Sequence, residues 1–184
     1  MGHRGTGQVT KEGANVVGLK ALETVYRGYR FRSRTEARWA RFMDAAGVEW
    51  TYESEGYDLD GVRYLPDFYL PKLGCWLEVK GARPEWRSRD LEKARRLAAA
   101  SSKPVFVVSG ELGPDYVIDA FGAGHSRSWR WVVCIRCKLV GITGDANAAK
   151  LPCQCFYPDE VYQSDDWEAI RTALLTARQE RFGT

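Results

Sequence analysis

The stretch YLPDFYLPKLGCWLEVKG, residues 64–81, constrains this chain more than any other. It has the apolar make-up of a buried β-hairpin, with PKLG as its turn. Yet it carries Asp67, Glu78 and Lys80, and charged residues are rarely buried unless they are paired or bind a metal. A symmetric four-residue loop would set Leu70 opposite Cys75, Tyr69 opposite Trp76, Phe68 opposite Leu77 and Asp67 opposite Glu78. Side chains so opposed lie about 5 Å apart, and like charges in that position destabilise a sheet. Lys80 lies two residues beyond Glu78 and shares its face, so it balances one carboxylate. The other needs a shared proton or a cation, and hard oxygen ligands suit Mg²⁺ or Mn²⁺. Phe68, Leu70, Leu77 and Val79 make the other face purely apolar. The plainer alternative is an exposed face laced with salt bridges.

The elements around this hairpin predict an α/β fold. TEARWARFMDAAG reads as a helix, with Trp39, Met43 and Ala46 at helical spacing and Gly47 as its stop. VEWTYESEGYDL and VRYLPDFYL read as two strands joined by Asp60-Gly61, a strong hairpin signal. CWLEVKG is a third strand, SRDLEKARRLAAAS a helix, and PVFVVSG a near-continuous apolar strand buried on both faces. Together they predict a mixed central β-sheet flanked by helices. A small Cys-bearing β module and a C-terminal amphipathic helix, DDWEAIRTALLTARQERF, follow. The expected organisation is a flexible tail over 1–20, a core over 21–122, a cysteine module over 123–158 and the helix over 159–184.

Pro66-Asp67 followed by Glu78-Val79-Lys80 resembles the signature of the PD-(D/E)xK nuclease superfamily, which has the restriction-endonuclease-like fold. The surrounding residues are similar to small phage and bacterial endonucleases of that superfamily, and the likeness spans about residues 30–110. The resemblance implies that Asp67, Glu78 and the Val79 carbonyl hold Mg²⁺ and that Lys80 is the catalytic lysine. Such proteins often add an acid from the preceding helix, which makes Glu36 the candidate. A rival explanation for Glu36 is local. Ser33-Arg34-Thr35-Glu36 fits a capping box, in which the carboxylate bonds back to the Ser33 amide. Against that, Glu36 aligns with the apolar stripe, and a carboxylate there needs an interior partner.

Five cysteines and no apolar leader favour a reducing compartment and thiol or metal roles. Cys134 and Cys137 are separated by residues 138–152 from Cys153 and Cys155. Two short pairs at this separation suit a closed, structural Cys₄ Zn²⁺ site resembling a zinc ribbon, although the second pair is tighter than C-x-x-C. His125 is an alternative ligand. Cys75 reads as a small buried residue.

Net charge is only +3, from 27 basic and 24 acidic residues, too mild to establish a nucleic-acid partner alone. Its distribution says more. Residues 26–41 are Arg-rich and interleaved with aromatics, which makes Arg30, Arg32 and Arg34 candidate phosphate contacts; Lys93 and Arg96 are others, on the second helix. For this run and for the second, residues 83–96, a solvated helix face is the competing explanation. No apolar run approaches a membrane span. Gly2 and Thr6 match a myristoylation pattern that coincidence also explains. The sequence therefore leads to an Mg²⁺-dependent nuclease of the cytoplasm acting on DNA, with RNA left open, as a homodimer or within a larger complex. The alternatives are a non-catalytic nucleic-acid-binding or assembly protein, and a nuclease subunit active only within a recombination, transposition or packaging complex.

Overall fold

A computed structural model of the chain describes residues 21–85, 87–110, 112, 117–123, 129–134, 136–144, 149–150, 153, 155 and 167–182. The expected tail, the myristoylation pattern and His125 lie outside these residues. The described elements run β1 (Thr24–Tyr26), β2 (Tyr29–Phe31), α1 (Arg34–Ala45), β3 (Thr51–Tyr52), β4 (Tyr57–Leu59), β5 (Val62–Tyr64), β6 (Phe68–Leu70) and β7 (Cys75–Lys80). They continue with α2 (Arg89–Ser101), β8 (Val105–Ser109), β9 (Val117–Phe121), β10 (Arg130–Val133), β11 (Val140–Thr143), β12 (Ala149–Lys150) and α3 (Trp167–Gln179). Among the described residues, no helix is long and apolar enough to cross a membrane.

A mixed five-stranded sheet, in the order β3-β6-β7-β8-β9, forms the centre. β6 and β7 pair as the loop symmetry predicts: Phe68 with Leu77, Tyr69 with Trp76, Leu70 with Cys75. The turn closes through hydrogen bonds from the Leu73 and Gly74 amides to the Leu70 carbonyl, with Gly74 at φ +62°. Such a backbone is nearly strain-free only for glycine. β7 and β8 run parallel, so their connection must cross over the sheet. That crossover is α2, capped at its start by the Ser88 hydroxyl, which accepts from the Leu91 amide at 3.4 Å.

Alternation along β6, β7 and β8 divides the core into two layers. Phe68, Leu70, Leu77, Val79, Phe106 and Val108 face one cluster with α1, α3 and the strands β10 and β11. Trp76, Val105 and Val107 face the other, against Leu91, Ala94 and Leu97 of α2 and Leu59 of β4. The helix α1 buries Ala37, Trp39, Ala40, Phe42 and Met43, and Gly47 takes φ +68° just beyond its end. β10, β11 and β12 form their own small sheet. Its Trp131 and Ile142 are buried in the α1 cluster, and the Trp131 ring stands edge-on to Phe42 at 5.1 Å.

The meander expected as three continuous strands is interrupted twice. VEWTYESEGYDL divides into β3 and β4, because Glu53 takes a left-handed φ of +45°. VRYLPDFYL divides into β5 and β6 around Pro66, which has no amide to donate to a ladder. β4 and β5 pair only with each other, across Asp60 (φ +54°) and Gly61 (φ +82°), as a primed hairpin turn requires. The start of the Arg-rich run belongs to a further hairpin, β1–β2, turning at Arg27 and Gly28 with φ of 48° and 82°.

Candidate active site and cysteine centre

The acids of the hairpin meet where β6 begins and β7 ends. Pro66 ends the ladder just ahead of Asp67, which frees its amide and carboxylate to reach across to β7. The Asp67 amide donates to Glu78 Oε2 at 3.3 Å, and the Val79 amide donates to Asp67 Oδ2 at 2.8 Å. Both carboxylates are 4% exposed. Lys80 Nζ lies 2.7 Å from Glu78 Oε1 and 4.0 Å from Asp90 Oδ1. The three groups thus share one end and one face of the sheet.

Glu36 joins them from the first turn of α1, where it is 8% exposed. The two explanations for it turn out to be compatible. Its amide donates to Ser33 Oγ at 3.2 Å, and the Ser33 hydroxyl donates to Glu36 Oε1 at 2.7 Å. The backward reach goes to the Arg32 amide (3.2 Å), where the capping-box expectation named Ser33, and the Tyr52 hydroxyl donates to the same oxygen at 2.6 Å. Glu36 is therefore a cap whose charge also bears on Asp67.

Arg32 stands in the site and not on a general basic surface. Its Nη2 is 3.0 Å from Asp67 Oδ1 and its Nε is 2.6 Å from Glu53 Oε1. Glu53 is a fourth acid that sequence reasoning missed; its amide donates to the Asp67 carbonyl at 2.9 Å. No spacing rule marks it, because its place depends on one left-handed residue. Tyr52 and Tyr64 were missed too, since each reads simply as a strand aromatic. Of the other basic candidates, Arg30 pairs with Glu23 at 3.4 Å, and Arg34 is exposed at the start of α1. Arg96 is taken up by Glu92 at 3.1 Å and Asp60 at 3.8 Å. Lys93 lies over the Tyr64 ring at 5.8 Å.

The electrostatics follow from crowding. Burial first, then the charges of Glu78 and Glu36, hold the Asp67 carboxyl well above the usual carboxylate range. Burial opposes the Lys80 ammonium, but Glu78, Asp67 and Asp90 outweigh it and its pKa is raised. Burial, then Glu78, pushes the Tyr64 phenol far above its ordinary value. Five carboxylates (Glu36, Glu53, Asp67, Glu78 and the more exposed Asp90) face two cations (Arg32, Lys80). Carboxylates therefore outnumber cations, an excess that protons or a bound cation would relieve. The carboxylates offer oxygen atoms, the donor type that hard divalent cations take.

The second centre is made of sulphur. The Sγ atoms of Cys134, Cys137, Cys153 and Cys155 all lie within 4.8 Å of one another. A tetrahedral ion with bonds of about 2.3 Å asks for sulphurs roughly 3.8 Å apart, so the four are close enough to bind a metal such as zinc. A tight turn presents the first pair: the Lys138 amide donates to the Cys134 carbonyl and the Cys134 amide to the Leu139 carbonyl, both at 2.9 Å. Lys138 takes φ +63° to make it. The short C-x-C spacing of the second pair does not keep either sulphur out. Cys75 is fully buried in the β6–β7 hairpin and is not part of this cluster. No family model, curated protein or solved structure matches the chain.

Proposed function

We propose that the chain is a divalent-metal-dependent nuclease that hydrolyses DNA phosphodiester bonds, an endonuclease of the PD-(D/E)xK type. The observation that carries this reading is the convergence of Asp67, Glu78 and Lys80 in one cluster where carboxylates outnumber cations. Asp67 and Glu78 are the residues that would hold Mg²⁺ or Mn²⁺, with the Val79 carbonyl and Glu36 as further oxygens. When bound, the ion polarises the phosphate and lowers the pKa of its water.

The chain's own groups do the rest. The Val79 amide fixes the Asp67 carboxylate, and the Asp67 amide fixes that of Glu78, so neither must reorganise on binding. Lys80, tethered by Glu78, offsets negative charge developing on the phosphoryl oxygens. Arg32 has its outer side open to solvent and adds a second cation beside Asp67. The sulphur centre is a structural Zn²⁺ site in this reading, because four thiolates leave no open coordination position.

The test is nicking of supercoiled plasmid in Mg²⁺ by the wild type, Asp67→Ala and Lys80→Ala. Loss of cleavage in both variants, with melting curves like the wild type's, is the expected result. Wild-type rates in both remove the assignment. A wild type that neither nicks DNA nor binds Mn²⁺ by calorimetry also removes it.

A further inference from the structure

A groove runs between α2 and the β4–β5 hairpin. It encloses about 510 Å³ and is lined by Leu59, Val62, Arg89, Glu92, Lys93 and Arg96. Its cations are not equivalent. Arg96 is shared between Glu92 and Asp60, and Glu92 also pairs with Arg95 at 3.4 Å. Arg89 and Lys93 make no ion pair with the described residues; Lys93 has only the Tyr64 ring beneath it. Among the described residues, the groove therefore holds two cations without an ion-pair partner, at i and i+4, whose Cβ atoms lie roughly 6 Å apart.

The groove and the acid cluster have Tyr64 as a common neighbour. Tyr64 supports Lys93 with its ring face while its hydroxyl end lies against Glu78. Asp90, next to Arg89 in α2, is 4.0 Å from Lys80. A chain of phosphates entering the groove would be led toward Glu78 and Lys80. Charge favours the same occupant, since the cluster itself repels a polyanion and needs a neighbouring attraction to bring one in. The apolar wall of Leu59 and half-exposed Val62 suits the sugar edge of a strand and offers no hydrogen-bonding pattern that would select a base.

We propose that this groove binds the DNA backbone beside the scissile bond, with Arg89 and Lys93 each neutralising one phosphate. The assignment rests on the nuclease reading for its purpose and not for its test. Two neutralised phosphates contribute about 1.8 to the slope of log affinity against log salt, or about 60-fold in affinity at 0.1 M salt. Fluorescence anisotropy with labelled DNA, in Ca²⁺ to suppress cleavage, compares the wild type with R89A/K93A. R171A/R178A on α3 serves as a control of equal charge loss.

The expected result is a loss of tens of fold in R89A/K93A with the slope reduced by about 1.8, while the control follows the wild type. Equal behaviour of the two double variants overturns the proposal, and so does tighter binding of RNA than of DNA of the same sequence. Plasmid nicking separates the two ideas. If the wild type binds through these residues but never cuts, the nuclease reading fails and the groove stands. If R89A/K93A cuts with wild-type KM, the groove fails and the nuclease stands.

Discussion

Asp67→Asn should make the metal-free protein more stable while abolishing cleavage. The substitution keeps the shape of the side chain, and its remaining oxygen can still accept from the Val79 amide, now at 2.8 Å. It removes one of two carboxylates set about 5 Å apart across the hairpin. With both groups ionised, above the raised pKa of Asp67, that repulsion at an effective dielectric of about 20 is worth about 3 kcal/mol. The lost contact to Arg32 subtracts about 1 kcal/mol or less, because the arginine side chain is 56% exposed and screened. The net gain is about 2 kcal/mol, or roughly 4–8 °C in Tm for a chain of this size. The sign with pH is definite. The folded-state pKa of Asp67 is raised, so this carboxyl favours folding at low pH and loses that contribution as pH rises through the folded value. The advantage of Asn should therefore grow from pH 5 to pH 8. Urea melts in zinc-containing, magnesium-free buffer measure it, and adding Mg²⁺ should stabilise the wild type alone. An Asn variant that is less stable at pH 8, or a difference flat across pH, refutes the reasoning.

Trp131→Ala should cost about 3–5 kcal/mol in denaturant melts, because Trp131 is 1% exposed and packs edge-on against Phe42. Metal analysis should find about one zinc per chain, and Cys137→Ser should lower both that content and the melting temperature. Burial first, then Asp44, pushes the Tyr26 phenol up to about 12. Its contribution is full below the unfolded value of about 10 and is lost as pH rises through 12, so Tyr26→Phe should flatten the decline in stability over that window.

What was legible in the sequence was whatever repeats with a fixed period or turns on a rule. The register of β6 and β7 followed from a symmetric loop, and α1 from its apolar stripe and Gly47. Asp60-Gly61 announced its hairpin. Placing Asp67 beside Glu78 needed only that register and the two-residue period of a strand. What was illegible depended on single backbone choices or on distant packing. Glu53 enters the site through one positive φ, which no pattern encodes. Arg32 looked like one more basic residue until the fold set it against Asp67. Arg27-Gly28 was hidden as a turn because the arginines around it invited an electrostatic reading. Glu92 and Asp60 claim Arg96, and only coordinates reveal that competition.

The aromatic contacts that α1 and β8 make with the segment around β10 have a practical consequence for anyone shortening the gene. Phe42 rests on Trp131, and Phe106 on Trp129 at 5.1 Å. A fragment stopping at residue 122 would keep every candidate catalytic side chain and yet leave these rings facing water. It should emerge from expression as a sticky, aggregating product, so the smallest workable chain extends through the last helix.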